Sequence, residues 1–163
     1  MGFSLFTAYL IYSQLKGSPY VPTKQKDVEV ILNELQIKKG QIFYELGCGD
    51  GRVVRTAVIK YDVKGIGIDI NPVLLVWARL LARIKSTSVI FRKENILETD
   101  LRKVDYVYLF LMPKLINKLT PKMLKELKKT SIIVSHGFKI ENWPKKPYKT
   151  ILGKPFYTYF YRA

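Results

Sequence analysis

Strand-like and helix-like stretches alternate along this chain from residue 23 almost to its end, and that alternation constrains the fold more than any other feature. Thr23 is placed to cap a helix over 23–35, with Val28, Ile31, Leu32 and Leu35 on one face. QIFYEL then reads as a short apolar strand, 51–61 as a helix, KGIGIDI as a strand, and 72–84 as a helix opened by Pro72. SVIFRKE, VDYVYLFL and SIIVSHG supply three more strands. Between the last two, Leu115, Leu119, Met123 and Leu127 mark a helix over 113–129. Such alternation predicts an α/β fold, a doubly wound and mostly parallel sheet with helices on both faces. YKTIL and PFYTYFYR have only Gly153–Lys154 between them, so they read as a C-terminal hairpin whose last strand runs antiparallel. The expected sheet has seven strands.

A chain of 163 residues, 48% hydrophobic and 25% charged, is long enough for one domain with a real core. We assign that domain to 17–163 and set 1–16 apart. Residues 3–15, FSLFTAYLIYSQL, carry no charge. As a helix they would reach roughly 20 Å, short of a hydrocarbon core of roughly 30 Å. No basic leader or small-residue cleavage site accompanies them. Part of a longer anchor, an interfacial helix and a core helix are the three readings. The formal charge is +15, and residues 114–163 hold 12 Lys and Arg against two Glu, about two thirds of that excess. It suits an anionic partner (nucleic acid, an acidic protein face or a membrane surface) or simply a solvated lysine-rich exterior. Cys48 is the sole cysteine, which excludes a disulfide framework and a Cys/His metal cluster and suits a reducing compartment. No metal site is expected.

The chemistry is concentrated in YELGCGDGR. Gly47, Gly49 and Gly51 sit at every second position and Arg52 follows, which departs from the GxGxxG spacing suited to a dinucleotide pyrophosphate. Asp69 ends the next strand, 22 residues beyond Gly47, where a carboxylate can accept both hydroxyls of a ribose. A ligand-free strand-to-helix turn and a nicotinamide or flavin site are the alternatives. This constellation resembles motif I and the second acidic motif of class I S-adenosylmethionine-dependent methyltransferases. The resemblance implies S-adenosyl-L-methionine as cofactor and S-adenosyl-L-homocysteine as product. It puts Gly47, Cys48, Gly49 and Gly51 in the cofactor loop and Asp69 and Ile70 beside the ribose. Glu45 would face the cationic methionine moiety, and Asn95 and Ile96 would line the adenine pocket.

At the position that this resemblance implies faces the transferred methyl, the chain has YLFLMP, residues 108–113, with neither acid nor amide and no cysteine nucleophile. Both absences count against nucleic-acid base methylation. SPYVPT, ELGCGDGR, IDINPVLLVWAR, FLMPKLINKLTPKMLKELK and VSHGF with ENW together resemble the protein-lysine methyltransferases of the ATP-synthase c-subunit and adenine-nucleotide translocase, and their small archaeal and bacterial relatives. That resemblance implies a protein substrate bearing a target lysine and folds Tyr20, Pro22 and Thr23 over the cofactor. Leu111 and Met112 would form an apolar slot whose carbonyls orient the amine, Pro113 would meet the substrate, and Phe138 and Trp143 would either clamp the lysine or pack in the core. His136, the only histidine, is a candidate base or a structural residue. An RNA or DNA methyltransferase, a small-molecule methyltransferase and a non-catalytic cofactor-binding module are the competing readings. A monomer, cytoplasmic or on the cytoplasmic face of a membrane, is expected.

Overall fold

A computed structural model describes residues 21–163. Tyr20 and the apolar segment 3–15 lie outside the described residues. Seven strands form one sheet: β1 (Ile42–Leu46), β2 (Lys64–Asp69), β3 (Ile90–Lys93), β4 (Tyr106–Leu109), β5 (Ile132–His136), β6 (Lys149–Ile151) and β7 (Thr158–Arg162). Among the described residues four helices accompany them: α1 (Gln25–Asn33), α2 (Arg52–Tyr61), α3 (Pro72–Ile84) and α4 (Pro113–Glu126). The strand order is β3-β2-β1-β4-β5-β7-β6. β1 to β5 are parallel, and β7 runs antiparallel to both β5 and β6. This is the expected doubly wound sheet with its antiparallel end.

Side chains alternate between the two faces, as the pleat requires. Phe43, Tyr106, Tyr108, Val134 and Phe160 pack under α1, α2 and α3. Tyr44, Leu46, Ile68, Val107, Leu109, Ile133 and Tyr161 pack under α4 and the loop bearing Ile140 and Trp143. The chain leaves β1 toward β2 and β3 on one side and returns to β4 on the other. Ligands of open α/β sheets bind at such a reversal, outside the strands' carboxyl ends.

Three local expectations are corrected. Thr23 does not cap α1, because its hydroxyl is buried in a 2.9 Å bond with the Tyr108 hydroxyl. Lys24 occupies the cap with no side-chain bond. α4 ends at Glu126, where Leu127 turns to extended backbone. The terminal connection runs over 152–157, so the expected two-residue turn at Gly153–Lys154 is a longer loop. Among the described residues no helix is long and apolar enough to cross a membrane, and no group of three or more His, Cys, Asp or Glu could hold a metal ion.

Candidate active site

Three glycines in left-handed backbone carry the chain from β1 into α2: Gly47, Gly49 and Gly51, with φ of +74°, +53° and +69°. Ordinary side chains rarely adopt this conformation. Space forbids them too. A Cβ on Gly51 would lie 2.4 Å from the Phe91 ring, and one on Gly47 would lie 2.7 Å from Leu111 Cδ2. The loop is tied to β2, since Gly47 and Cys48 both donate their amides to the Ile68 carbonyl, at 2.8 and 2.9 Å.

Two carboxylates flank the loop. Glu45 is 5% exposed, and its Oε2 accepts the Val54 amide of the first turn of α2 at 2.9 Å. That amide and the helix dipole favour its charge, but burial wins and pushes the carboxyl well above the usual range. Asp69 accepts the Gly49 amide on Oδ2 and the Asn71 amide on Oδ1, each at 2.8 Å. Burial raises it as well. Buried acids in one cleft are costly without a cation to face them. A ligand carrying positive charge relieves that cost, and each carboxylate oxygen keeps a second lone pair for a hydroxyl.

The segment before α1 forms one wall. Arg52 Nη1 donates to the Thr23 carbonyl at 3.0 Å, while its Nε and Nη2 grip Asp50. With the Thr23–Tyr108 bond, this pins Val21, Pro22 and Thr23 across the cleft, which has a volume of about 590 Å³. That is within the range of sites for nucleotide-sized ligands. Asn95 and Ile96 line the opposite side. Asn95 closes an Asx turn by accepting the Leu97 amide at 3.1 Å and donating to Glu98 at 3.0 Å. Phe110, Leu111, Met112, Leu115, Phe138 and Phe156 add an apolar lining to the same cleft.

Of the residues singled out from sequence, Pro22, Thr23, Glu45, Gly47, Cys48, Gly49, Asp69, Ile70, Asn95, Ile96, Leu111, Met112 and Phe138 line this one cleft. Gly51 shapes it from behind. Three others do not reach its wall. Pro113 is the first residue of α4. Trp143 is core instead: its Nε1 donates to the Arg162 carbonyl at 3.0 Å and its ring meets Tyr161 edge-on. His136 is 3% exposed, with Nδ1 bonded to Thr158 Oγ1 at 2.8 Å. Its ring stands behind Phe110 (4.6 Å) and Phe156 (5.7 Å). Burial lowers its pKa to about 4, so at neutral pH it is uncharged and screened from the cleft by two phenyl rings. Sequence reasoning missed Phe110, Phe156, Asp50 and Leu115. Phe110 lay inside a quoted motif, whereas Phe156 was read as part of the last strand and lies in the loop before it.

The ANTKMT methyltransferase domain matches residues 45–147. A protein-lysine N-methyltransferase of Saccharolobus islandicus (strain REY15A) is 37% identical over 87% of this chain and 91% of that protein. The adenine nucleotide translocase lysine N-methyltransferase of Mus musculus is 32% identical over 77% of this chain, which spans only 55% of that longer protein. Among solved structures, an RNA methyltransferase from Salinibacter ruber in complex with S-adenosyl-L-homocysteine superposes with a TM-score of 0.82 at 30% identity, covering 87% of this chain and 93% of that one. With its glycine loop, its paired acids and these matches over most of its length, the chain belongs to the ANTKMT methyltransferase domain family.

Proposed function

We propose that this protein is a protein-lysine N-methyltransferase that uses S-adenosyl-L-methionine. The observation that carries the reading is a cleft lined both by the carboxylates Glu45 and Asp69 and by the apolar side chains of Phe110, Leu111, Met112, Phe138 and Phe156. The acidic end fits the cofactor. Asp69 would hold the ribose hydroxyls, Glu45 the cationic end, Asn95 and Ile96 the base, and the glycine loop leaves the backbone free to approach. The bound cofactor supplies an electrophilic sulfonium methyl and leaves as S-adenosyl-L-homocysteine.

The apolar lining addresses the acceptor's difficulty. A lysine of ordinary pKa is neutral in only about one molecule per thousand near pH 7.4, which costs roughly 4 kcal/mol. Phenyl and aliphatic walls strip water from the ammonium and favour the neutral amine that can attack. Nearby carbonyls after β4 would orient it, so that rate comes from alignment rather than from a covalent nucleophile. His136 supports the wall from behind. The lone, buried Cys48 suits a reducing compartment, the cytoplasm or the cytoplasmic face of a membrane.

The Salinibacter neighbour supports a second reading, RNA methylation, to which the +15 charge lends an anionic partner. One experiment separates the two. The protein is incubated with methyl-labelled S-adenosyl-L-methionine and soluble or membrane fractions of host lysate, then treated with protease or nuclease. Protease-sensitive label recovered as methyl-lysine is the expected result. Nuclease-sensitive label would overturn the acceptor assignment and keep the cofactor.

A further inference from the structure

Helix α3 is apolar on two faces, and among the described residues only one is buried. Leu74, Leu75, Ala78 and Ala82 are buried. On the other side Val73, Val76, Trp77, Leu80 and Ile84 recur at helical spacing and are 42–65% exposed. A helix on the surface of a water-soluble domain is ordinarily polar there. The charged side chains between Asp69 and Glu94, which both line the cleft, are five and all basic. Arg79 Nη2 donates to the Phe91 carbonyl at 2.9 Å, which turns it toward β3, where Arg92 and Lys93 are exposed. Arg83 and Lys85, also exposed, continue the basic border past the end of the helix. The stripe begins at the cleft, whose wall includes both Ile70, 69% exposed, and Val21, the first described residue. The chain that precedes Val21 contains the uncharged run 3–15.

We propose that the outer face of α3 docks on an anionic lipid bilayer, with its apolar side chains entering the boundary between headgroups and acyl chains and its basic border meeting the headgroup phosphates. An apolar stripe holding a tryptophan, bordered by arginine and lysine, is what an interfacial helix presents. The arginines and lysines of the border favour an anionic surface, since each basic group near such a leaflet adds attraction. Docking in this way sets the cleft mouth at headgroup level, so acceptor lysines would lie close to a membrane. That last consequence rests on the lysine-methyltransferase reading, whereas the docking does not.

The full chain is mixed with vesicles of phosphatidylcholine alone or of phosphatidylcholine with phosphatidylglycerol, and sedimentation and tryptophan emission are recorded. Trp143 is buried and bonded, so a blue shift reports Trp77. We expect binding and a blue shift on the anionic vesicles only, with the shift lost in Trp77→Phe. The pair Val76→Ser with Leu80→Ser should cut partitioning by about tenfold or more, and Arg83→Ala with Lys85→Ala should weaken it on anionic vesicles without touching the apolar stripe. Binding of S-adenosyl-L-homocysteine should be unchanged in all of them, which also shows that they fold. An unshifted emission on anionic vesicles would overturn the proposal. So would serine variants that partition like the wild type, or a dimer in light scattering that they dissolve while no form binds vesicles.

Discussion

Replacing His136 with glutamine separates a structural histidine from a catalytic base, and the structure sets the size of the effect. The ring is buried, bonded to Thr158, and its pKa lies at about 4 rather than near 6.5. Between those values the unfolded chain binds a proton that the folded chain refuses. Stability therefore falls as pH falls from about 6.5, and the loss levels off below about 4. The contribution is about 1.4 kcal/mol at pH 5.5 and about 2.6 kcal/mol at pH 4.5. Glu45 works in the opposite direction, because a carboxyl raised in the fold takes up its proton more readily there. It is common to both proteins and cancels when His136→Gln is subtracted from the wild type. Urea denaturation at about pH 7.5, 5.5 and 4.5 gives that difference directly. Two stability curves that run parallel down to the lowest pH would refute the buried, neutral histidine. Methyl transfer near pH 8 should stay within about threefold in the variant, since loss of a general base costs on the order of a hundredfold or more.

Asp69→Ala removes the acceptor for the Gly49 and Asn71 amides as well as the proposed ribose contact; calorimetric affinity for S-adenosyl-L-homocysteine should fall by about a hundredfold, the loss of roughly 3 kcal/mol of charged hydrogen bonding. Gly51→Ala combines a φ of +69° with a Cβ 2.4 Å from the Phe91 ring, so urea denaturation should show a loss of about 2–4 kcal/mol. Thr23→Val keeps the shape but breaks the buried bond to Tyr108. It should lower stability by about 1–2 kcal/mol and raise KM for the cofactor, because the wall of the cleft is anchored there.

The acidic end of the cleft was legible because local rules place its residues. A carboxylate at a strand end and glycines at alternate positions declare themselves within a few residues of one another. Tertiary contacts were not legible in the same way. Thr23 satisfies the local rule for a helix cap, yet its hydroxyl is taken by Tyr108, 85 residues away. Trp143 and Phe156 sit in loops without a period, and sequence offers no ground for sending one to the core and the other to the cleft. Phe156 arrives only because β7 runs back along β5 with Thr158 opposite His136. The same register explains His136 once β1 and β4 are aligned: Glu45 pairs with Tyr108, and Tyr108 with Val134. His136 stands two residues further along on that face, above the row that carries Glu45 but behind Phe110. A base must reach the reacting proton, and here a phenyl ring occupies the way. That wall of the cleft is thus lined by apolar side chains, and such walls are the hardest sites to read from sequence, because a phenylalanine lining a cleft and a phenylalanine filling a core obey the same periodicity.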